Sequence, residues 1–254
     1  MRKTLFKVLA GAVLVGLLAV GGAQAVKIEI GKTTVSATAT IVPRTLPAKG
    51  NQPVSLSSVI RIGTKGGPPP MLKQLNFKFD GNGRIDTKGL PVCTLAKLAE
   101  TTPGQARKRC AGAIVGEGTG HAEVALPGQP ATKVSSPLTF FNAPPQGGKP
   151  SMIAHAYETI PAPKTLLVPF SIERIKQGRY GYQAKIELPP IAEGYGGATL
   201  AEATIGKTWK RGGKSVGYVS AHCSGGRLQV YGTMSFADGS YFPATLTSPC
   251  HVPG

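Results

Sequence analysis

The stretch Thr33-Thr34-Val35-Ser36-Ala37-Thr38-Ala39-Thr40-Ile41 decides the fold class of this chain. Val35, Ala37, Ala39 and Ile41 fall two residues apart, with Ser36, Thr38 and Thr40 between them. A period of two puts the apolar set on one face of a strand and the hydroxyls on the other, whereas a helix would scatter both. The pattern continues outward. Residues 26–30 alternate, and Leu56, Ile60 and Ile62 keep step across 54–62. Leu75, Phe77 and Phe79 make the next inward face. Downstream, strands are expected at 111–115, 121–126, 133–142, 152–160, 165–173 and 180–188, then at 198–208, 215–223, 228–237 and 241–247.

Composition agrees. The 254 residues include 34 glycines and 22 prolines, nearly twice the usual combined share of about 12%. Apolar residues at 41% still allow a core. Together these disfavour a helical bundle, a collagen repeat or a disordered chain. Only 94–100 and 103–109 read as helical, with Thr102 as cap and Pro103 in the first turn. No alternation of strands and helices appears, so a parallel sheet is not expected. The expected fold is all-β: an antiparallel β-sandwich with a short helical excursion, the β-barrel being its alternative. Residues 26–254 are expected to form one unit, with 161–164 as a possible subdomain boundary.

Residues 1–25 read as a secretory signal peptide. Arg2, Lys3 and Lys7 precede an apolar run, and Ala23-Gln24-Ala25 supplies small residues for cleavage. No second long apolar run follows, so no stable membrane span is expected after cleavage. Export would place the protein outside the cytoplasm, secreted or at the cell envelope, where the four cysteines read as disulfides. Three pairings are possible. Short loops favour Cys93–Cys110, which would staple the helical excursion, and Cys223–Cys250. The spacing lacks any C-x-x-C, which argues against zinc.

The chain carries 29 basic and 12 acidic residues, a net charge of +17. Three basic residues and no acidic ones lie in the leader, so the remainder carries +14. Such a charge concerns partners rather than fold. No acid falls between Glu202 and Asp238, and the densest basic segment is Lys207-Thr208-Trp209-Lys210-Arg211-Gly212-Gly213-Lys214. It reads as a hairpin tip. Lys207, Trp209, Lys210, Arg211 and Lys214 could touch an anionic envelope polymer. The plainer reading is a tryptophan packed on the core edge beside a solvated turn. Nucleic acid is a less favoured partner.

Asp80-Gly81-Asn82-Gly83-Arg84-Ile85-Asp86 is the sharpest local motif. Aligned on Gly83, it places Asp80, Asn82 and Asp86 at ligand positions of a calcium loop. However, Lys78 and Gly89 then occupy the positions that require carboxylates. It therefore reads as a β-hairpin turn with Asn and Gly at positive φ. Gly116-Glu117-Gly118-Thr119-Gly120 lacks the Lys-Ser/Thr of a phosphate loop and reads as a bulge or tight turn. The histidines are His121, His155, His222 and His251, and the aspartates Asp80, Asp86 and Asp238. Ser220, His222 and Asp238 lie near one another in sequence, as do Glu117 and Glu123 around His121. Neither grouping carries a recognisable catalytic motif. No cofactor or metal ligand set stands out, and no catalytic residue can be assigned.

Gly89-Leu90-Pro91-Val92-Cys93, Cys110 to Gly116, Phe141-Asn142, Phe236-Ala237-Asp238-Gly239 and Cys250 carry a resemblance. They are similar to a group of uncharacterised exported proteins of actinobacterial type. The resemblance implies export and paired cysteines, and no residue roles. The expectation for function is a secreted or envelope-associated, non-enzymatic protein that binds an anionic envelope polymer. The alternative is a hydrolase of an extracellular polymer. A third possibility, a carrier of hydrophobic molecules, requires an enlarged apolar cavity.

Overall fold

The computed structural model describes residues 25–254. Of the leader expected at residues 1–25, all but Ala25 lies outside them. Seventeen strands follow in chain order: β1 Val26–Ile30, β2 Thr33–Val42, β3 Gln52–Pro53, β4 Ser55–Thr64, β5 Leu72–Asp80 and β6 Gly83–Ile85. Then come β7 Ile114–Val124, β8 Thr132–Gln146, β9 Lys149–Glu158, β10 Lys164–Gln177, β11 Tyr180–Glu187 and β12 Gly196–Ile205. The last are β13 Thr208–Arg211, β14 Lys214–Gly217, β15 Val219–Ala221, β16 Arg227–Phe236 and β17 Tyr241–Pro249. Two short helices, α1 Leu95–Leu98 and α2 Pro103–Arg109, lie between β6 and β7.

Twelve strands form one antiparallel sheet in the order β1-β2-β4-β12-β7-β8-β9-β10-β11-β5-β16-β17. The sheet curls until its ends nearly meet, giving an almost closed barrel. The all-β antiparallel expectation holds, and the strands take the barrel arrangement, the alternative to the sandwich. At the seam, the Ile41 N–H donates to Ser248 Oγ at 3.2 Å. Beyond it, Leu46 and His251 are joined backbone to backbone, as are His251 and Arg44. The alternation read from 33–41 is what builds the wall: β2 buries Thr33, Val35, Ala37 and Ala39 and leaves the residues between them half-exposed. Residues 161–163 belong to the turn between β9 and β10, which are neighbours in this same sheet.

One end of the barrel is plugged. A three-stranded sheet, β3-β15-β6, lies beside the end where β5 finishes. Ile85, Val219 and the fully buried Tyr218 pack there with Phe79, Phe140 and Met152. Both disulfides join the favoured pairs. Cys223–Cys250 ties the plug to the segment after β17, with Cα atoms 5.9 Å apart. Cys93–Cys110 staples the two helices, with Cα atoms 5.7 Å apart. These helices sit on the outer face of β8 to β10, packing Leu98 and Ala106 against Phe141 and Ile153. Thr102 and Gln105 form the capping box that starts α2, with Pro103 in its first turn.

Three local expectations need correction. Residues 116–120 are not a turn: β7 runs unbroken through them, with a bulge only between Ile114 and Gly116. The glycines are there because β12 passes too close for a side chain. A Cβ on Gly118 would stand 1.8 Å from the Glu202 carbonyl oxygen, and one on Gly116 would stand 2.7 Å from that of Thr204. The 215–223 strand is broken at Tyr218, where the chain leaves the β13–β14 hairpin and enters the plug. The Asp80–Asp86 motif is not a hairpin. None of Gly81, Asn82 and Gly83 has a positive φ. Asp80 Oδ1 instead accepts from the Asn82 N–H at 3.1 Å, an Asx turn. β6 then pairs with β15, away from β5.

Candidate functional site

A barrel of about eight strands is just wide enough for its own side chains to fill. Twelve strands enclose more, and the inward positions here are not enlarged to match. Many are alanine or glycine: Ala37, Ala39, Ala154, Ala203, Gly232 and Ala244. The plug fills one end, and a lumen of about 430 Å³ remains. This lies within the range of about 300–1,000 Å³ typical of small-molecule sites. Every strand of the large sheet except β1 contributes to its lining. Phe77, Phe79, Phe140 and Phe170 supply aromatic surface. Phe77 and Phe79 are only partly buried although they point inward, because they face the void rather than another wall.

Most polar groups on the lining gather towards its two ends. At the open end, Ser136 Oγ accepts from the Tyr157 N–H at 2.8 Å. Glu158 Oε1 accepts from the Ala192 N–H at 2.9 Å. At the plugged end stand Arg84, Tyr182 and Tyr218. The Tyr218 hydroxyl is buried and has no hydrogen-bond partner among the described residues. Burial pushes its pKa well above the ordinary phenol value. The Tyr182 hydroxyl accepts from Arg174 Nη2 at 3.2 Å, and the guanidinium lies 5.5 Å from the ring centroid.

A second cavity, of about 520 Å³, lies outside this end of the barrel. Arg84, Arg174 and Lys176 line it with Asn51, Gly81 and Gly181. Sequence reasoning missed both cavities. The lumen had a faint signal in the small residues that recur at inward positions, Ala37 and Ala39 first. The outer cavity had none, since Arg84 and Arg174 are 90 positions apart in the chain.

The 207–214 segment is a hairpin, β13–β14, turning at Gly212 and Gly213, both at positive φ. Three of its five candidate contact residues have structural partners. Lys207 Nζ donates to the Gly112 carbonyl, and burial lowers its pKa. Trp209 packs against the cluster containing Leu90 and Tyr218. Arg211 donates to both Asp86 oxygens, at 2.9 and 2.7 Å, and to the Lys88 carbonyl. The hydrogen bond from Arg211 holds the Asp86 carboxyl below its ordinary range. Lys210 and Lys214 are exposed and make no ion pair among the described residues.

Apart from His121 and Glu158, which both line the lumen, the candidate acid–base groups are dispersed. His155 is fully buried beneath the helices, outside the barrel wall. Its Nε2 lies 3.0 Å from the Thr101 carbonyl oxygen, which Nε2–H donates to, and Nδ1 has no partner. Burial lowers its pKa. His222 Nδ1 bonds Asn51 Oδ1. Asp238 accepts from Ser240 in the β16–β17 turn, at the opposite end of the barrel from Ser220 and His222. Glu117 pairs with Arg107 on the surface. Asp80 is buried and accepts from Arg179 and from the Gln229 N–H. No group of three or more His, Cys, Asp or Glu positioned to hold a metal ion occurs among the described residues. No protein-family model matches the chain, and no curated protein is significantly similar to it.

Proposed function

We propose that this is a non-enzymatic binding protein acting outside the cytoplasm, and that it carries an apolar molecule inside the barrel. The observation that carries this reading is the 430 Å³ lumen, lined by almost unbroken apolar surface on eleven strands. An empty apolar space of that size forfeits dispersion contacts along its whole lining, so a fold that keeps one gains by filling it. The outer face is polar: Thr34, Ser36, Thr38 and Thr40 on β2, Lys78 on β5 and Lys185 on β11. An apolar interior with a polar exterior reverses the polarity of a membrane-spanning barrel. The two disulfides favour an oxidising compartment.

The test is uptake of an uncharged fluorescent probe, such as phenylnaphthylamine, by the purified disulfide-bonded protein. The expected result is saturable binding at one site, weakened when Ala154→Leu narrows the lumen. Absence of saturable uptake by the native protein would overturn the proposal.

An anionic envelope polymer at the 207–214 tip is a second reading, favoured by the exposed Lys210 and Lys214. Its variant is Lys210→Glu/Lys214→Glu, which leaves the Arg211–Asp86 pair intact. Salt-sensitive cosedimentation with isolated envelope should fall in that variant. Sedimentation equal to the native protein's would end the reading.

A further inference from the structure

The two cavities at the plugged end are not independent. Gly83, Arg84 and Tyr182 line both the apolar lumen and the cationic cavity outside it. Tyr182 presents its ring to the lumen and its hydroxyl to Arg174. Arg174 is the cross-strand partner of Tyr182, so the two side chains share one face of the sheet, and the positive charge follows on from the hydrophobic surface along the barrel axis.

Arg84, Arg174 and Lys176 make no ion pair among the described residues. The nearest carboxylates along the chain are already engaged: Asp86, within electrostatic reach of Arg84, with Arg211, Asp80 with Arg179, and Glu173 with Lys149. No acidic residue lines the cavity. Gly81, Gly83 and Gly181 contribute no side chains there, which leaves the cationic groups accessible. Three like charges around one concavity repel each other, and an anion placed among them relieves that repulsion. Arg in particular offers paired N–H donors that match a carboxylate or phosphate. On the lumen side, the unpartnered Tyr218 hydroxyl offers one more polar contact.

We propose that the ligand is an anionic amphiphile, with a long acyl chain in the lumen and its carboxylate or phosphate held by Arg84, Arg174 and Lys176. This rests on the reading of the lumen as an apolar binding site. β5 runs inward-facing from Leu75 to Phe79. A strand advances about 3.4 Å per residue, so from Leu72, where β5 first meets the lumen, to Phe79 the wall runs about 24 Å, long enough for an extended chain. The head would sit at the plugged end, against the cationic cavity, and the tail would point towards the open end.

The experiment displaces the bound uncharged probe with three chains of equal length: hexadecanol, hexadecanoate and hexadecyl phosphate. The expected result is that one or both anionic chains bind at least about tenfold more tightly than the alcohol, because the charge-assisted contacts form only with them. High salt should narrow that gap. Arg84→Gln/Lys176→Gln should abolish the preference, read as the ratio of anionic-chain to hexadecanol affinity within that variant. Arg174 stays in place because it packs on Tyr182. The tighter of the two anionic chains identifies the head group. If probe and hexadecanol bind but neither anionic chain binds better, the head-group assignment is wrong and the lumen reading stands. An anionic preference that survives the double substitution would also overturn it. If nothing apolar binds, both proposals fall.

Discussion

Replacing Ala154 by leucine should stabilise the ligand-free protein, which is the opposite of what the same change does in a filled core. Ala154 sits mid-strand on β9, half-buried, between Phe140 on β8 and Val168 on β10. It faces the lumen. Leucine adds three carbons, worth about 0.8 kcal/mol each when removed from water, or about 2.4 kcal/mol. Ordering the longer side chain costs about 0.5–1 kcal/mol, which leaves a gain of about 1.5 kcal/mol. For about 230 described residues, the entropy of unfolding near the midpoint is roughly 0.5 kcal/mol per degree. The melting temperature should therefore rise by roughly 3 °C. In a packed interior the same insertion costs about 1–3 kcal/mol, so the sign of the shift separates a void from a core. Ligand response gives the second half of the test. A ligand at a hundred times its Kd adds about 2.7 kcal/mol to the native protein, or roughly 6 °C. That increment should shrink or vanish in Ala154→Leu. The assay is thermal unfolding, followed by circular dichroism, of delipidated protein with and without hexadecanol. A variant that melts lower than the native protein while keeping its full ligand response would refute the argument.

Two further outcomes follow from particular contacts. His155 is buried with its pKa lowered by desolvation, so the unfolded state takes up a proton that the folded state resists. Stability should hold above pH 6.5, the unfolded value, and fall as pH drops below it, by no more than about 1.4 kcal/mol per pH unit. Urea unfolding at neutral and mildly acidic pH measures this slope, and His155→Leu should flatten it; an unchanged slope would assign the acid sensitivity elsewhere. Gly118→Ala should cost more than about 3 kcal/mol or prevent folding, because its Cβ meets the Glu202 carbonyl at 1.8 Å. Gly120→Ala should be tolerated far better, since its Cβ would only touch the Leu138 side chain at 3.4 Å. Comparable denaturant midpoints for the two variants would contradict the close approach of β12 to β7.

The walls of the barrel were legible because one side of each strand is buried, and burial imposes a period of two. Val35, Ala37 and Ala39 declared their face in the sequence, as did Leu75, Phe77 and Phe79. The helical excursion was legible too, since Thr102, Pro103 and the two cysteines are local signals. The choice between sandwich and barrel was not. It depends on whether Ile41 meets Ser248, 207 positions away, and no local pattern encodes that meeting. The glycines at 116 and 118 misled because glycine marks both turns and close backbone approaches. Only the partner strand tells the two apart. The lumen was hidden for a related reason. An inward alanine reads as ordinary strand until the strand opposite also proves small. The cationic cavity joins β6 to the far end of β10, so its charges looked like scattered surface residues. In the basic hairpin the residue types suggested a contact surface, yet Arg211 and Lys207 already hold Asp86 and Gly112.

The seam between β2 and β17 bears on how the molecule is made. Most neighbours in the large sheet are joined by nearby chain, as β7 to β8, β8 to β9, β9 to β10, β10 to β11 and β16 to β17 are. Such hairpins can assemble early, because little loop entropy is lost in closing them. The seam pairs the beginning of the described chain with its end, so it cannot form until nearly all the rest exists. Until then the sheet is an open curved sheet, with the apolar surface of Phe77, Phe79 and Ala37 towards solvent and two bare edges. The hazard of this architecture thus lies in the unfinished molecule. A chaperone that shields the concave face, or a ligand that settles into it before the edges join, would act at that stage of its life.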